Sequence, residues 1–68
     1  MSRKMRLKEL RLANGVTQDT VAYVIGCVKS TYPKYERGER APSLEVLGCL
    51  ADYYHVTLDY LVGRKDNN

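Results

Sequence analysis

Apolar positions recur with a helical period along most of the chain, broken at short intervals by glycine or by a hydroxyl residue. Val21, Ala22 and Ile25 fall at i, i+1 and i+4 and so share one helix face. Thr17 precedes them as an N-cap and Gly26 follows as a stop, which predicts a helix over Gln18 to Ile25. The next helix is expected from about Lys29 to Arg37, closed by Gly38, with Tyr32 and Tyr35 facing inward. Upstream, Leu7 and Leu10 are the inward pair of a first helix from about Lys4 to Ala13, flanked by Met5 and Leu12. Asn14 and Gly15 close it, and Val16 packs ahead of the Thr17 cap as a hydrophobic staple.

Downstream, Pro42 and Ser43 mark a fourth helix start, with Ser43 as N-cap. From Leu44 to Tyr54, one face carries Leu44, Leu47, Ala51 and Tyr54, and Val46, Leu50 and Tyr53 widen it. A face this broad belongs to a helix covered on more than one side. His55 follows, where histidine usually makes a capping or dipole contact. Thr57 caps a last short helix, Leu58 to Val62, which Gly63 stops, and Leu58 and Leu61 close the core. The polar run Arg64 to Asn68 is expected to fray. The fold class is therefore all-α: five helices around one small core, a single domain over residues 1–68 with its core at about 4–63.

The central pair of helices carries the candidate chemistry. Two short helices, a glycine in the turn and an alanine where they touch form the pattern of a DNA-binding helix-turn-helix. Charge agrees with it. Residues 1–40 hold nine Lys/Arg and four Asp/Glu, whereas residues 41–68 hold two and four. The basic half contains the helix pair, as suits a surface that meets phosphate. The plainer reading of that charge is solubility alone.

Composition narrows the rest. A chain of 68 residues buries only about 60% of its unfolded surface, so its stability is modest unless it pairs. No apolar run approaches the roughly 20 residues of a membrane span, and no export signal precedes the first helix, so a cytoplasmic location is expected. Cys27 and Cys49 sit at apolar positions and read as buried free thiols. With His55 the only histidine, the ligands are too few for a structural zinc site. No cofactor, metal, membrane contact or catalysis is expected, because Asp, His and Ser are scattered without nucleophile–base order.

The runs LKELRLANGVTQ, YERGERAPSLEVL and LADYYHVTLDYLVGR resemble, in order and spacing, the Xre/Cro family of lambda-repressor-like helix-turn-helix domains. The resemblance spans about Leu7 to Arg64. It implies a sequence-specific transcriptional regulator, most often a repressor, from a bacterium or phage. Its partners would be double-stranded DNA and a second copy of itself on a palindromic operator. It also implies a structural salt bridge between Arg11 and Glu36, tying the first helix to the third.

The DNA-reading residues follow from which side chains point away from the core tyrosines. Val28, Lys29, Ser30 and Lys34 are the candidates for base contacts, at places that meet base edges in related repressors. Lys29 and Lys34 can donate to guanine, Ser30 can donate or accept, and Val28 can touch a thymine methyl. Each lysine has the alternative of meeting only phosphate or water. Thr17, Gln18, Arg37 and Arg40 are the backbone candidates, with Gln18 at a helix N-terminus where free N–H groups bind anions. Tyr53, Tyr54, Leu58 and Val62 are candidates for the dimer interface, since the family often pairs through its last helix. The alternative is that they fill the subunit's own core.

Two departures from the family pattern bear on the third helix. Val28 stands where Ser or Thr usually caps it, and Pro33 lies within its expected span. Proline inside a helix costs about 3 kcal/mol. Either the helix starts later, with Ser30 or Thr31 as cap and Pro33 in a tolerant first turn, or it starts on time and kinks. These departures keep open a rival function, an antitoxin-like or other protein-interaction module built on the same fold. A further alternative is that the chain is the DNA-binding part of a longer repressor.

Overall fold

Hydroxyl side chains open three of the five helices. The computed structural model describes residues 5–66. In order they form α1 (Leu7–Ala13), α2 (Gln18–Ile25), α3 (Tyr32–Arg37), α4 (Leu44–Tyr54) and α5 (Leu58–Leu61). Among the described residues all regular structure is helical, so the expected all-α class holds. Thr17 Oγ1 accepts from the Thr20 N–H at 3.1 Å to start α2. Ser43 Oγ does the same for Val46 at 3.2 Å in α4, and Thr57 Oγ1 for Tyr60 at 3.1 Å in α5. Each cap satisfies a donor that the first turn leaves open, worth about 1 kcal/mol.

All five helices end alike. Gly15, Gly26, Gly38, His55 and Gly63 adopt positive φ. The N–H of the residue after each reaches back five residues: Val16 to Arg11, Cys27 to Ala22, Glu39 to Lys34, Val56 to Ala51 and Arg64 to Asp59. This is the Schellman arrangement, in which a left-handed residue lets the chain fold back onto its own last carbonyls. His55, at φ 56 and ψ 46, does without glycine. A side chain there costs roughly 1–2 kcal/mol.

Each helix contributes to one core. Leu7, Val21, Tyr32, Leu50 and Leu61 are all but inaccessible, with Ala22, Ala51 and Tyr54 beside them. The edge near the chain ends is closed by Arg6, whose N–H bonds the Leu61 carbonyl at 2.8 Å. The Arg6 guanidinium donates to the Tyr60 carbonyl and lies 4.3 Å from the centre of the Tyr60 ring. Nothing in the spacing of the sequence marks this clasp.

Several sequence expectations need correction. α1 begins at Leu7; the expected start at Lys4 lies outside the described residues, as do Asn67 and Asn68 of the polar tail. α3 begins at Tyr32 rather than Lys29, and α5 stops at Leu61 rather than Val62. Leu44 is 74% exposed and Leu58 39% exposed, not core. Both open their helices, yet position alone does not expose them, since Leu7 and Tyr32 open α1 and α3 and are buried. Leu12 also faces outward. Cys49 is exposed, because it shares with Glu45 and Asp52 the i, i+4, i+7 stripe opposite Leu50, Ala51 and Tyr54.

Candidate nucleic-acid interface

The turn between α2 and α3 is set by Gly26. Its left-handed angles (φ 72, ψ 29) end α2, and Cys27 closes the reversal through a 2.9 Å bond to Ala22. Val28 to Thr31 then make a helical turn of their own, with the Thr31 N–H on the Val28 carbonyl at 2.9 Å. Thr31 is helical in its angles and its side chain does not cap. Pro33 falls in the first turn of α3, the later-starting of the two arrangements open from the sequence. Having no N–H, it gives nothing to the Lys29 carbonyl, and the turn joins α3 only through Tyr32 on the Val28 carbonyl at 3.4 Å and Lys34 on the Thr31 carbonyl at 3.0 Å.

This arrangement sorts the side chains. Tyr32 points inward and is fully buried, edge-on to the half-buried Tyr35 at 6.2 Å. Val28, Lys29, Ser30 and Lys34 are all exposed on the other side. Thr17 is exposed, its hydroxyl already engaged with Thr20. Arg40 is exposed as well, and Arg37 pairs with Glu39. Arg37, Arg40 and Lys8 line one groove between α1 and the α3–α4 connection. Lys8 was not among the sequence candidates, and the basic character of the first helix was the only clue to it.

Behind the outward face, one carboxylate holds three helices together. Arg11 Nε donates to Glu36 Oε2 at 2.7 Å and its Nη2 to Oε1 at 3.3 Å. Gln18 Nε2 donates to the same Oε1 at 3.1 Å. The two charged side chains are 12% and 4% exposed, so this is a buried fork-to-fork pair and not a surface contact. Burial pushes the Glu36 carboxyl up, but hydrogen bonding from Arg11 and Gln18 outweighs it and the net shift is below the usual carboxylate range. The Tyr32 hydroxyl lies beside this carboxylate and helps hold it ionised. Neither it nor the buried Tyr54 hydroxyl makes a hydrogen bond of ordinary geometry. The same Glu36 bond raises Arg11. Both members therefore stay charged across the ordinary pH range.

The sequence reading missed Asp19. Its Oδ2 lies 3.1 Å from Lys29 Nζ and joins the first turn of α2 to the exposed turn ahead of α3. Among the interface candidates, Tyr53 and Val62 are half-buried and Leu58 is exposed. Tyr54 needs correction: it is 6% exposed within a single chain, packed into the subunit's own core with its ring 5.1 Å from that of Tyr53. Among the described residues no group of three His, Cys, Asp or Glu could hold a metal ion, and no helix is long and apolar enough to cross a membrane.

Comparison with known proteins finds the same architecture. A family model described as a helix-turn-helix domain matches residues 5–61. The HTH-type transcriptional regulator AnsR of Bacillus subtilis is 47% identical over 60 residues, covering 88% of this chain and 52% of its own. The cryptic phage CTXphi transcriptional repressor RstR of Vibrio cholerae is 36% identical over 63 residues, covering 93% and 57%. The chain thus spans about half the length of these curated relatives. Among solved structures, a transcriptional regulator from Listeria innocua superposes with a TM-score of 0.87 at 29% identity, over 93% of this chain and 61% of its own.

Proposed function

Because the chain belongs to the helix-turn-helix domain family, in its Xre and lambda-repressor branch, we propose that it is a DNA-binding transcriptional regulator. It acts as a repressor, in the cytoplasm, without catalysis, and it binds a palindromic operator as a homodimer through a single helix-turn-helix unit. The observation that carries this reading is the division of the segment before and within α3. Tyr32 anchors it in the core while Val28, Lys29, Ser30 and Lys34 stand exposed on the outside. A major groove accepts one helix and distinguishes all four base pairs by their edges.

In this reading the Arg11–Glu36–Gln18 cluster fixes the angle at which α3 is presented. Gln18 both braces Glu36 and lies in the first turn of α2, where phosphate oxygens are favoured. Thr17, Arg37 and Arg40 meet the DNA backbone, with Lys8 beside them, and Arg37 must first leave Glu39. Tyr53, Leu58 and Val62 form the pairing surface around α5, with Tyr54 supporting it from within. Occupying a promoter is how such a protein represses.

The stoichiometry on DNA tests the reading. Sedimentation of the protein with a duplex selected from a randomised pool should give two chains per inverted repeat. One chain per duplex would remove the homodimer, and no complex with any duplex would remove DNA binding itself. The protein-interaction reading keeps one observation in its favour: Tyr23, on α2, is 87% exposed. A failure to bind any duplex would bring it forward.

A further inference from the structure

Asp19 places a carboxylate beside one of the lysines proposed to read bases, as Glu39 does beside the backbone candidate Arg37. Its oxygen sits 3.1 Å from the Lys29 ammonium, and both side chains are largely exposed, at 64% and 75%. A pair so open to water adds little to stability, so the fold does not depend on it. The geometry gives it a different consequence. Lys29 belongs to the turn ahead of α3, and its own carbonyl receives no N–H from position 33, which is proline. The backbone there is held by the Val28 carbonyl, which accepts from Thr31 and Tyr32 at 2.9 and 3.4 Å, and by the Thr31 carbonyl, which accepts from Lys34 at 3.0 Å. The Lys29 side chain is held by Asp19.

We infer that Asp19 is a specificity-determining residue, acting through Lys29. The inference rests on the DNA-binding reading above. In the free protein Asp19 neutralises the one base-contact candidate that lies at the edge of α2, beside Gln18 and the phosphate-facing helix start. On arbitrary DNA, Lys29 leaves Asp19 only for a phosphate oxygen, and the stranded carboxylate then repels neighbouring phosphates. On the operator, Lys29 gains a base-edge acceptor as well, which offsets the loss of Asp19. The carboxylate thus penalises the wrong partner more than the right one, which is how discrimination is raised without adding affinity. Removing it should release a cation for any duplex, adding up to one phosphate contact and a salt slope steeper by roughly 0.9.

The test compares wild type, Asp19→Asn, Lys29→Met and the double variant on two duplexes of equal length, the selected operator and a random sequence, across a salt titration. Asparagine keeps the size of Asp19 and leaves the Thr17 cap of α2 in place, and a thermal melt checks that the fold is retained. Asp19→Asn is expected to bind the random duplex roughly three- to tenfold more tightly at low salt. The operator should gain less, so the operator-to-random ratio falls. In the Lys29→Met background the same change should alter the ratio much less. A ratio unchanged by Asp19→Asn, or changed equally with and without Lys29, overturns the inference while DNA binding stands. A wild-type protein that binds neither duplex overturns the DNA-binding reading and the inference with it.

Discussion

Arg11 in α1 and Glu36 in α3 meet at 2.7 Å, so a residue of the first helix decides how the third is held. Removing one partner of a buried pair leaves the other charge stranded, at about 3–5 kcal/mol. A domain of this size has only roughly 3–10 kcal/mol of stability in all. Arg11→Ala is therefore expected to leave the protein partly unfolded at ambient temperature by denaturant titration. Replacing both partners with apolar residues, Arg11→Met with Glu36→Leu, should lose much less. A single variant as stable as wild type would contradict the account of the pair.

Glu36 also sets the response to acid. Its carboxyl is held below the ordinary range when folded, with burial opposed and outweighed by Arg11 and Gln18. A group depressed on folding contributes stability above its unfolded value, near pH 4.3, and loses that contribution as pH falls through the folded value. Melting followed from pH 7 downward should be flat to about pH 5 and then fall. Glu36→Gln should start from a lower stability and fall less below pH 5. Parallel curves for the two proteins would assign the acid sensitivity to another group.

Pro33 sits in the first turn of α3, where proline is tolerated. Pro33→Ala should therefore change stability by no more than about 1 kcal/mol in either direction. Its larger effect should be on DNA. Restoring an N–H toward the Lys29 carbonyl adds a bond between the Val28–Thr31 turn and α3 and should move Lys29 and Ser30. Selection from a randomised pool should then return a site altered at the bases these residues reach. An identical site and an identical melt would show that the turn already sits as a continuous helix would place it.

Lys34 and Arg40 should separate base reading from phosphate binding. Lys34→Ala is expected to lose about 1–3 kcal/mol of discrimination at one base position. Arg40→Ala should weaken binding evenly across sequences and reduce the salt slope by roughly 0.9. Competition assays with single-base variants of the operator distinguish the two patterns. Equal losses on every variant for Lys34→Ala would move it to the phosphate group.

Much of the fold was legible because it rests on local rules. Thr17, Ser43 and Thr57 cap as their sequence positions require, and Gly26 and Gly38 end helices where a left-handed residue was needed. His55 escaped the same rule because a histidine does not announce positive φ. Periodicity placed Leu50, Ala51 and Leu61 inside but overextended to Leu44 and Leu58, which it cannot tell from Leu7 and Tyr32, buried at the same helix position. Contacts between distant residues were hidden in kind. The Arg6 clasp on α5 and the Asp19–Lys29 pair depend on how helices cross, which spacing along the chain does not encode. The Arg11–Glu36 contact was expected only through the family resemblance. Pro33 was visible as an anomaly, but only the backbone shows that α3 starts late enough to accept it.

In the proposed function, the exposed side chains of the Val28–Thr31 turn and α3 read DNA sequence. The most direct measurement of this is selection of wild-type protein on a randomised duplex pool, followed by a salt titration of the enriched sequence. An inverted repeat should be enriched, with half-sites about one helical turn apart, and its affinity should fall steeply as salt rises. Binding without enrichment of any sequence, or affinity indifferent to salt, would contradict it.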